Sequence, residues 1–363
     1  MKNGLISMNN QKQLLEKLIY GKCSWLDYSN IIRLKPEDFD SFLEAAYKLK
    51  IKNFGFDIKV YIPNKKFPAI SITGSECALQ CEHCNKKYLS GMKGILSKED
   101  LEKFLFNFSK SGGIGVLISG GCEPDGSVPL LEFLDTIKLI KDKTNLIINT
   151  HTGLLSEITA KKLAESNVDI ISFDINMDKE VIRDIYHLNK NPEDYKKSVE
   201  YLKNSNLNIV PHICVGLFYG RLHKELEAIQ FIKESGLNPS LIVLIALIPP
   251  KNLEGKFLNP NPIDIAKIIT IIRFVFPNTE ISLGCMRPRG KDKFRIEKYA
   301  ILAGVNRIEI PSVQTLRWLK QRSPDIRYKF FSACCAIPEE FEIYAKSEKS
   351  DLKKYNEFIS NYE

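Results

Sequence analysis

The stretch "AISITGSECALQCEHCNKKYL", residues 69 to 89, joins a short β-branched run to a loop that carries three of the chain's nine cysteines. The run "AISITG" reads as a strand closing in a glycine turn, and Cys77, Cys81 and Cys84 follow it with the spacing CxxxCxxC. At this cysteine frequency the spacing arises by chance with odds of roughly one in two hundred. Structural zinc wants four ligands, usually as two pairs; no second pair lies nearby, and His83 is too close to its neighbours to complete a site. An odd number of cysteines in a reducing compartment favours ligands over a disulfide framework. Three cysteines on one short loop suit a 4Fe-4S cluster in which one iron lacks a protein ligand and can take a substrate or cofactor.

Downstream of this loop, β-branched runs alternate with amphipathic helical stretches. Eight runs read as strands: 69–74, 114–121, 145–153, 169–176, 208–217, 241–247, 280–286 and 307–312. Most are continuously apolar, as strands covered on both faces are. Between them, Ser97 and Asp100 resemble a capping box before "LEKFLFNF", whose Leu101, Phe104, Leu105 and Phe108 mark one face. Eight strand-helix units in about 245 residues match a (β/α)8 TIM-type barrel, α/β in class. An open doubly wound sheet is the alternative, but no GxGxxG turn follows the first strand.

Ahead of the barrel, "KPEDFDSFLEAAYKLK" places Phe39, Phe42, Leu43, Ala46 and Leu49 along one helical face, with Pro36 in a first-turn position. The expected organisation is an N-terminal helical extension at 1–66, a barrel at 67–315, and a helical C-terminal cap with a frayed tail at 316–363. The chain has 363 residues, 44% of them hydrophobic, enough for a sizeable core. Its first residues lack a secretory apolar run, and the longest apolar run, "LIVLIALI" at 241–248, is too short to span a bilayer. A soluble, cytoplasmic protein is expected, with no membrane partner. The net charge of +8 is spread over lysine-rich helices and reads as a solvated surface, or as a basic face for an acidic protein or RNA; no nucleic-acid partner is expected.

The CxxxCxxC loop directly after the first barrel strand resembles the cluster loop of the radical S-adenosylmethionine (SAM) superfamily. The resemblance implies that Cys77, Cys81 and Cys84 hold a 4Fe-4S cluster whose open iron binds the amino and carboxylate groups of SAM. Reductive cleavage then yields a 5'-deoxyadenosyl radical that abstracts a hydrogen atom from the substrate. His83 stands where the superfamily usually has an aromatic residue, and its flat imidazole can pack near the adenine. "SGGCEPDG" after the second strand resembles the superfamily's GGE motif, with Gly120, Gly121 and Glu123 at the matching positions and Cys122 inserted. Asp174 on the fourth strand, and His212 and Gly216 on the fifth, fall where the superfamily contacts SAM and substrate. A buried Asp or His at a strand end also serves as a structural hydrogen-bonder.

Over residues 10 to 315 the pattern looks most like the biotin synthase group, in which strand cysteines and an arginine hold a second cluster that donates sulfur. Cys122, Cys214, Cys285 and Arg287 are the corresponding candidates, and His151 replaces a third-strand cysteine. Cys334 and Cys335 in "SACC" join Cys122 and Cys285 if the C-terminal segment folds over the barrel mouth; His151 and Arg289 are candidates for the substrate pocket. Cys23 reads as structural. "LGCMRPRG" and "SACC" look most like the archaeal-type two-protein lipoyl synthases. The implied reaction is sulfur insertion into an octanoyl chain on a carrier-protein lysine, with a second related radical SAM protein and an electron donor such as ferredoxin or flavodoxin as partners. Alternatives are a biotin synthase, a radical SAM mutase or methylase, an iron-sulfur electron carrier and a zinc-binding structural protein.

Overall fold

The computed structural model describes residues 8–63, 65–353 and 355. Residues 1–7 and the frayed tail expected after residue 355 lie outside them. The strands are β1 (Asp57–Tyr61), β2 (Ala69–Ser71), β3 (Lys93–Gly94), β4 (Gly115–Ser119), β5 (Ile147–His151), β6 (Ile170–Asp174), β7 (Ile209–Val215), β8 (Leu241–Ala246), β9 (Glu280–Leu283), β10 (Arg307–Glu309) and β11 (Arg327–Phe331). All eight expected runs form strands, β2 and β4 to β10. Every pairing is parallel, in the order β11-β1-β10-β9-β8-β7-β6-β5-β4-β2-β3.

Leu117, His151, Asp174, His212, Val243 and Glu309, from six different strands, line one cavity, so the sheet curls into a TIM-type partial barrel. Alternation sorts its two faces. Ile148, Ile171, Ile213, Ile242, Leu244, Ile281 and Ile308 pack outward in the main core, each fully buried side chain contributing roughly 1.5–3 kcal/mol. Ile147, Ile170, Val210, Leu241 and Val243 point inward and form a second cluster.

Two strands arise in segments expected to be helical. β1 pairs with β10 and β11 with β1, whereas β2 bonds β3 and β4, so among the described residues no pairing joins β2 to β10. β1, "DIKVY", hides from an apolar search because its inward positions carry Lys59 and Tyr61, which enter a buried ion network. There Lys59 Nζ lies 2.9 Å from both Glu280 and Glu342, Arg307 binds Glu280 and Glu342, and the Tyr61 hydroxyl donates to Glu342.

The C-terminal segment does not fold over the mouth, the condition under which Cys334 and Cys335 would join Cys122 and Cys285. Ala333, Ala336 and Ile337 pack against Ile147, Ile170, Val210 and Leu241 near the beginnings of β5 to β8, so the segment forms the barrel floor. Arg307 donates to the Ile337 carbonyl and pins it there.

The N-terminal extension is helical through Phe54. Pro36 opens a separate one-turn 3-10 helix, Pro36–Asp38, and the α-helix begins at Asp40. The extension covers the helix Pro262–Val275, which is apolar nearly all round, and Lys267 Nζ donates to the Ile32 and Leu34 carbonyls at 2.8 and 2.6 Å. Ser97 caps the helix Lys98–Lys110 by accepting from the Asp100 amide at 3.1 Å; the Asp100 carboxylate takes the Ser97 hydroxyl rather than its amide. No helix among the described residues is long and apolar enough to cross a membrane.

Candidate active site

The cysteine loop leaves β2 through Gly74 at φ +61°, with the Ser71 hydroxyl donating to the Gly74 carbonyl at 2.6 Å. Thr73 Oγ1 donates to the Glu76 carbonyl at 2.8 Å and accepts from the Gly121 amide at 2.7 Å, joining the loop to the end of β4. The Cys122 amide donates to Cys77 Sγ at 3.2 Å. Gly121 permits this approach, since a Cβ there would lie 1.9 Å from the Glu76 carbonyl oxygen and 2.5 Å from Cys77 Cβ.

Farther along, Asn85 (φ 44°) and Lys86 (φ 60°) take successive left-handed conformations. This nest turns the amides of Lys86, Lys87 and Tyr88 toward the Cys84 sulfur. Burial raises the Cys84 thiol pKa, and those amides oppose it. Burial likewise pushes Cys81 up to about 12. Cys77 is lowered, first by the adjoining Cys122 thiol. Metal binding deprotonates such thiols, so these are starting points rather than obstacles.

The loop's far side is tied to neighbouring loops: the Glu82 amide donates to the Ile185 carbonyl at 2.8 Å, and Lys256 Nζ donates to the Glu82 carboxylate at 2.8 Å. His83 packs on Tyr186 with ring centroids 5.1 Å apart, and its Nδ1 is buried without a partner. Burial lowers its pKa to about 4, so the ring is neutral near pH 7. Cys77, Cys81, Cys84, Gly120, Gly121 and Cys122 all line one cavity of about 310 Å³.

A second cavity of about 340 Å³ fills the barrel interior beside it, and His83, Tyr88, Asp174 and Tyr186 line both. Its walls are largely apolar, including Leu117, Val243, Ile245, Leu247 and Met286. On one side the His151 and His212 rings meet edge-on at 4.9 Å, with His212 Nδ1 3.0 Å from the Val210 carbonyl. Burial, then His151, lowers His212 to about 3, and burial raises Asp174 against the opposing pull of His151. Asp174 is exposed to the cavities while enclosed by protein. On the other side stand Cys285, Cys334, Cys335 and Glu309, with Cys335 Sγ 3.1 Å from Glu309 Oε2.

Several expected groupings do not form. Cys122 sits against Cys77 in the first cavity, so the set Cys122, Cys285, Cys334 and Cys335 is divided; Cys214 faces the second cavity. Arg287 is buried outside both cavities, donating to Glu297 Oε1 at 2.6 Å and to the Gly284 and Glu309 carbonyls at 2.5 and 2.8 Å. Glu123 and Arg289 are exposed and line neither cavity. Gly216 is a turn residue at φ +83°, its amide donating to Glu225 at 2.8 Å. Cys23 is half-buried against the core, and burial raises it to about 11. Glu309, Tyr88 and Tyr186 were not singled out by sequence reasoning. Glu309 alternates with Arg307 on β10, and that spacing is the signal that marks it as inward-facing.

The sequence profile of the Radical SAM superfamily matches residues 71–232. The biotin synthase of Methanococcus vannielii is 25% identical over 289 residues, covering 75% of this chain and 81% of that protein. The biotin synthase of Methanococcus maripaludis is 25% identical over 319 residues, covering 82% and 90%. Residues 71–232 thus carry the radical SAM match. Over most of its length the chain is similar to biotin synthases.

Among solved structures, the [FeFe]-hydrogenase maturase HydG from Carboxydothermus hydrogenoformans superposes with a TM-score of 0.68 at 17% identity, covering 98% of this chain and 88% of that one. Methylornithine synthase (PylB) superposes with a TM-score of 0.60 at 18% identity, covering 82% and 85%. At these identities the likeness shows the fold.

A radical SAM enzyme works with a 4Fe-4S cluster and SAM, and this site has the donors for them. Three thiols share one cavity wall, amides already point at two of the sulfurs, and a buried imidazole nitrogen is unpartnered. Among the described residues no three His, Cys, Asp or Glu side chains meet at one point as a single metal ion requires. Cluster ligands hold separate irons and need no common point, whereas tetrahedral zinc does. All nine cysteines are free thiols. The packing around Gly121 yields a direct test: Gly121→Ala pushes Cys77 away from its partners, and iron and SAM binding both fall, as read by iron content and SAM titration, while the circular dichroism spectrum is retained.

Proposed function

We propose that this radical SAM enzyme inserts sulfur at an unactivated C-H bond of an octanoyl chain carried on a protein lysine, a sulfurtransferase step in lipoyl cofactor formation. The observation that carries the reading is the adjoining pair of cavities: a cysteine-lined one for cluster and SAM, and an apolar one that carries four more cysteines. When bound, the reduced cluster and SAM supply a 5'-deoxyadenosyl radical that takes a hydrogen atom from the substrate. Cys77, Cys81 and Cys84 hold that cluster, and the backbone at Gly120 and Gly121 receives the SAM amino group. Leu117, Val243 and Ile245 exclude water from an unbranched alkyl chain. His83, Tyr88, Asp174 and Tyr186 stand between the two cavities and set the approach of one ligand to the other. An auxiliary iron-sulfur cluster in the second cavity is the sulfur source.

Partners follow from the chemistry. The reaction needs an electron donor, such as ferredoxin or flavodoxin, and an octanoylated carrier protein. Two sulfurs on one chain suit a second related radical SAM protein. The net positive charge is compatible with an acidic carrier.

The biotin synthase relatives favour a second reading, sulfur insertion into a small ring precursor. Against it stands His151, facing the cavity from β5 where that group is expected to place a cysteine. Incubation of the reconstituted enzyme with SAM, a strong reductant and an octanoyl-lysine peptide is expected to yield a peptide that has gained sulfur by mass spectrometry, alone or with the partner protein. Formation of 5'-deoxyadenosine without any thiolated peptide, with sulfur appearing in dethiobiotin run in parallel, overturns the octanoyl reading in favour of the second.

A further inference from the structure

The wall of the second cavity gathers four donors from three places in the chain. Cys285 follows β9, Glu309 ends β10, and Cys334 and Cys335 arrive on the segment after β11. The Glu309 carboxyl contacts two thiols, Cys335 at 3.1 Å and Cys285, and Cys335 in turn contacts Cys334. We propose that Cys285, Cys334, Cys335 and Glu309 together hold a second iron-sulfur cluster, with the Glu309 carboxylate on its fourth iron. This rests on the auxiliary-cluster reading above and names the ligands.

A carboxyl inside a barrel, facing three thiols, makes poor structural filler, because a buried polar group without a strong partner costs stability. The surroundings hold the donors in place. Arg287 donates on one side to the Gly284 carbonyl, next to Cys285, and on the other to the Glu309 carbonyl, so one guanidinium fixes both backbones. Arg307 holds Ile337, two residues beyond Cys335. Arg287 is thereby a positioning residue: both terminal nitrogens are spent on these carbonyls and on Glu297, and the side chain lines neither cavity. Cys122 is excluded by its place against Cys77. A carboxylate is a harder donor than a thiolate and binds cluster iron less firmly. The iron on Glu309 is therefore the exchangeable one, at the wall of the apolar cavity.

The test uses the full-length Cys77→Ala, Cys81→Ala, Cys84→Ala chain, which retains only the second site, reconstituted anaerobically with isotopically enriched iron and sulfide. About four irons per chain are expected, with one Mössbauer subsite of higher isomer shift than the other three. Adding Glu309→Cys should make the subsites alike. Adding Glu309→Gln should speed iron loss to EDTA by about tenfold, the scale of a lost supporting contact, with unchanged elution volume and circular dichroism. A spectrum unaltered by Glu309→Cys, or an unaltered rate of loss in Glu309→Gln, overturns the Glu309 assignment and leaves the auxiliary cluster standing. A chain that binds no iron overturns the auxiliary-cluster reading itself.

Discussion

Replacing Cys77, Cys81 and Cys84 together by alanine is expected to reduce 5'-deoxyadenosine formation from SAM to the background rate, a fall of at least about a thousandfold, equivalent to some 4 kcal/mol of transition-state stabilisation. On the proposed assignment each thiolate would hold a separate iron, and the loop has no replacement for all three; Cys122 lies against Cys77. The fold should survive. The loop lies beyond the end of β2, its three cysteines are not fully buried, and the main core forms without them. The measurement is product formation under a strong reductant, beside a circular dichroism spectrum that matches the parent. SAM cleavage persisting in the triple variant would remove the cluster assignment and with it the proposed chemistry.

Arg307→Met is expected to destabilise the chain by about 3–5 kcal/mol, the usual consequence of removing one partner from a buried ion network. Arg307 is wholly buried, binds Glu280 and Glu342, and donates to the Ile337 carbonyl, so its loss leaves two buried carboxylates sharing the Lys59 ammonium, with the Tyr61 hydroxyl on Glu342, and frees the floor segment. Urea unfolding measures the first effect, and lowered iron content at the second site measures the other. Adding Glu280→Gln and Glu342→Gln should restore part of the stability, because the uncompensated charges go. A loss below about 1 kcal/mol would mean that the network is structurally idle.

The same network has a pH signature. Burial pushes the Glu280 carboxyl up, but Arg307 and then Lys59 overcome it and hold the group below its ordinary value of 4.5. A depressed folded pKa contributes stability that is complete above the unfolded value and disappears as the pH falls through the folded one. The urea midpoint should therefore decline below about pH 4.5, and less steeply in Glu280→Gln.

Much of this architecture is legible along the chain because it depends on local periodicity. Eight apolar runs became eight strands, and the strand-loop unit at 69–89 marked the site at the expected end of the barrel. β1 and β11 escaped notice for the opposite reason. In β1 the buried Lys59 enters an ion network, and in β11 the exposed Arg327 and Lys329 reach Asp57, so charges interrupt the apolar signal that identifies a strand, and only the pairing of β1 with β10 and of β11 with β1 organises them. Glu309 was overlooked likewise: a lone Glu in "RIEIPS" has no meaning until Cys285 and Cys335 are beside it.

Cys77, Cys81 and Cys84 lie within eight residues, so their spacing alone determined that they share a loop and one cavity wall; backbone reach over so few residues leaves little else. Cys285 and Cys335 are fifty residues apart, and no spacing predicts their meeting. Tertiary structure decided that Cys122 lies against Cys77, that Arg287 lines neither cavity, and that the C-terminal segment becomes floor instead of lid. The physical reason is an edge left unpaired. With no pairing between β2 and β10 among the described residues, β10 takes β1 and β1 takes β11. That carries the chain after β11 into the barrel, where two cysteines reach a cavity that local sequence does not reveal.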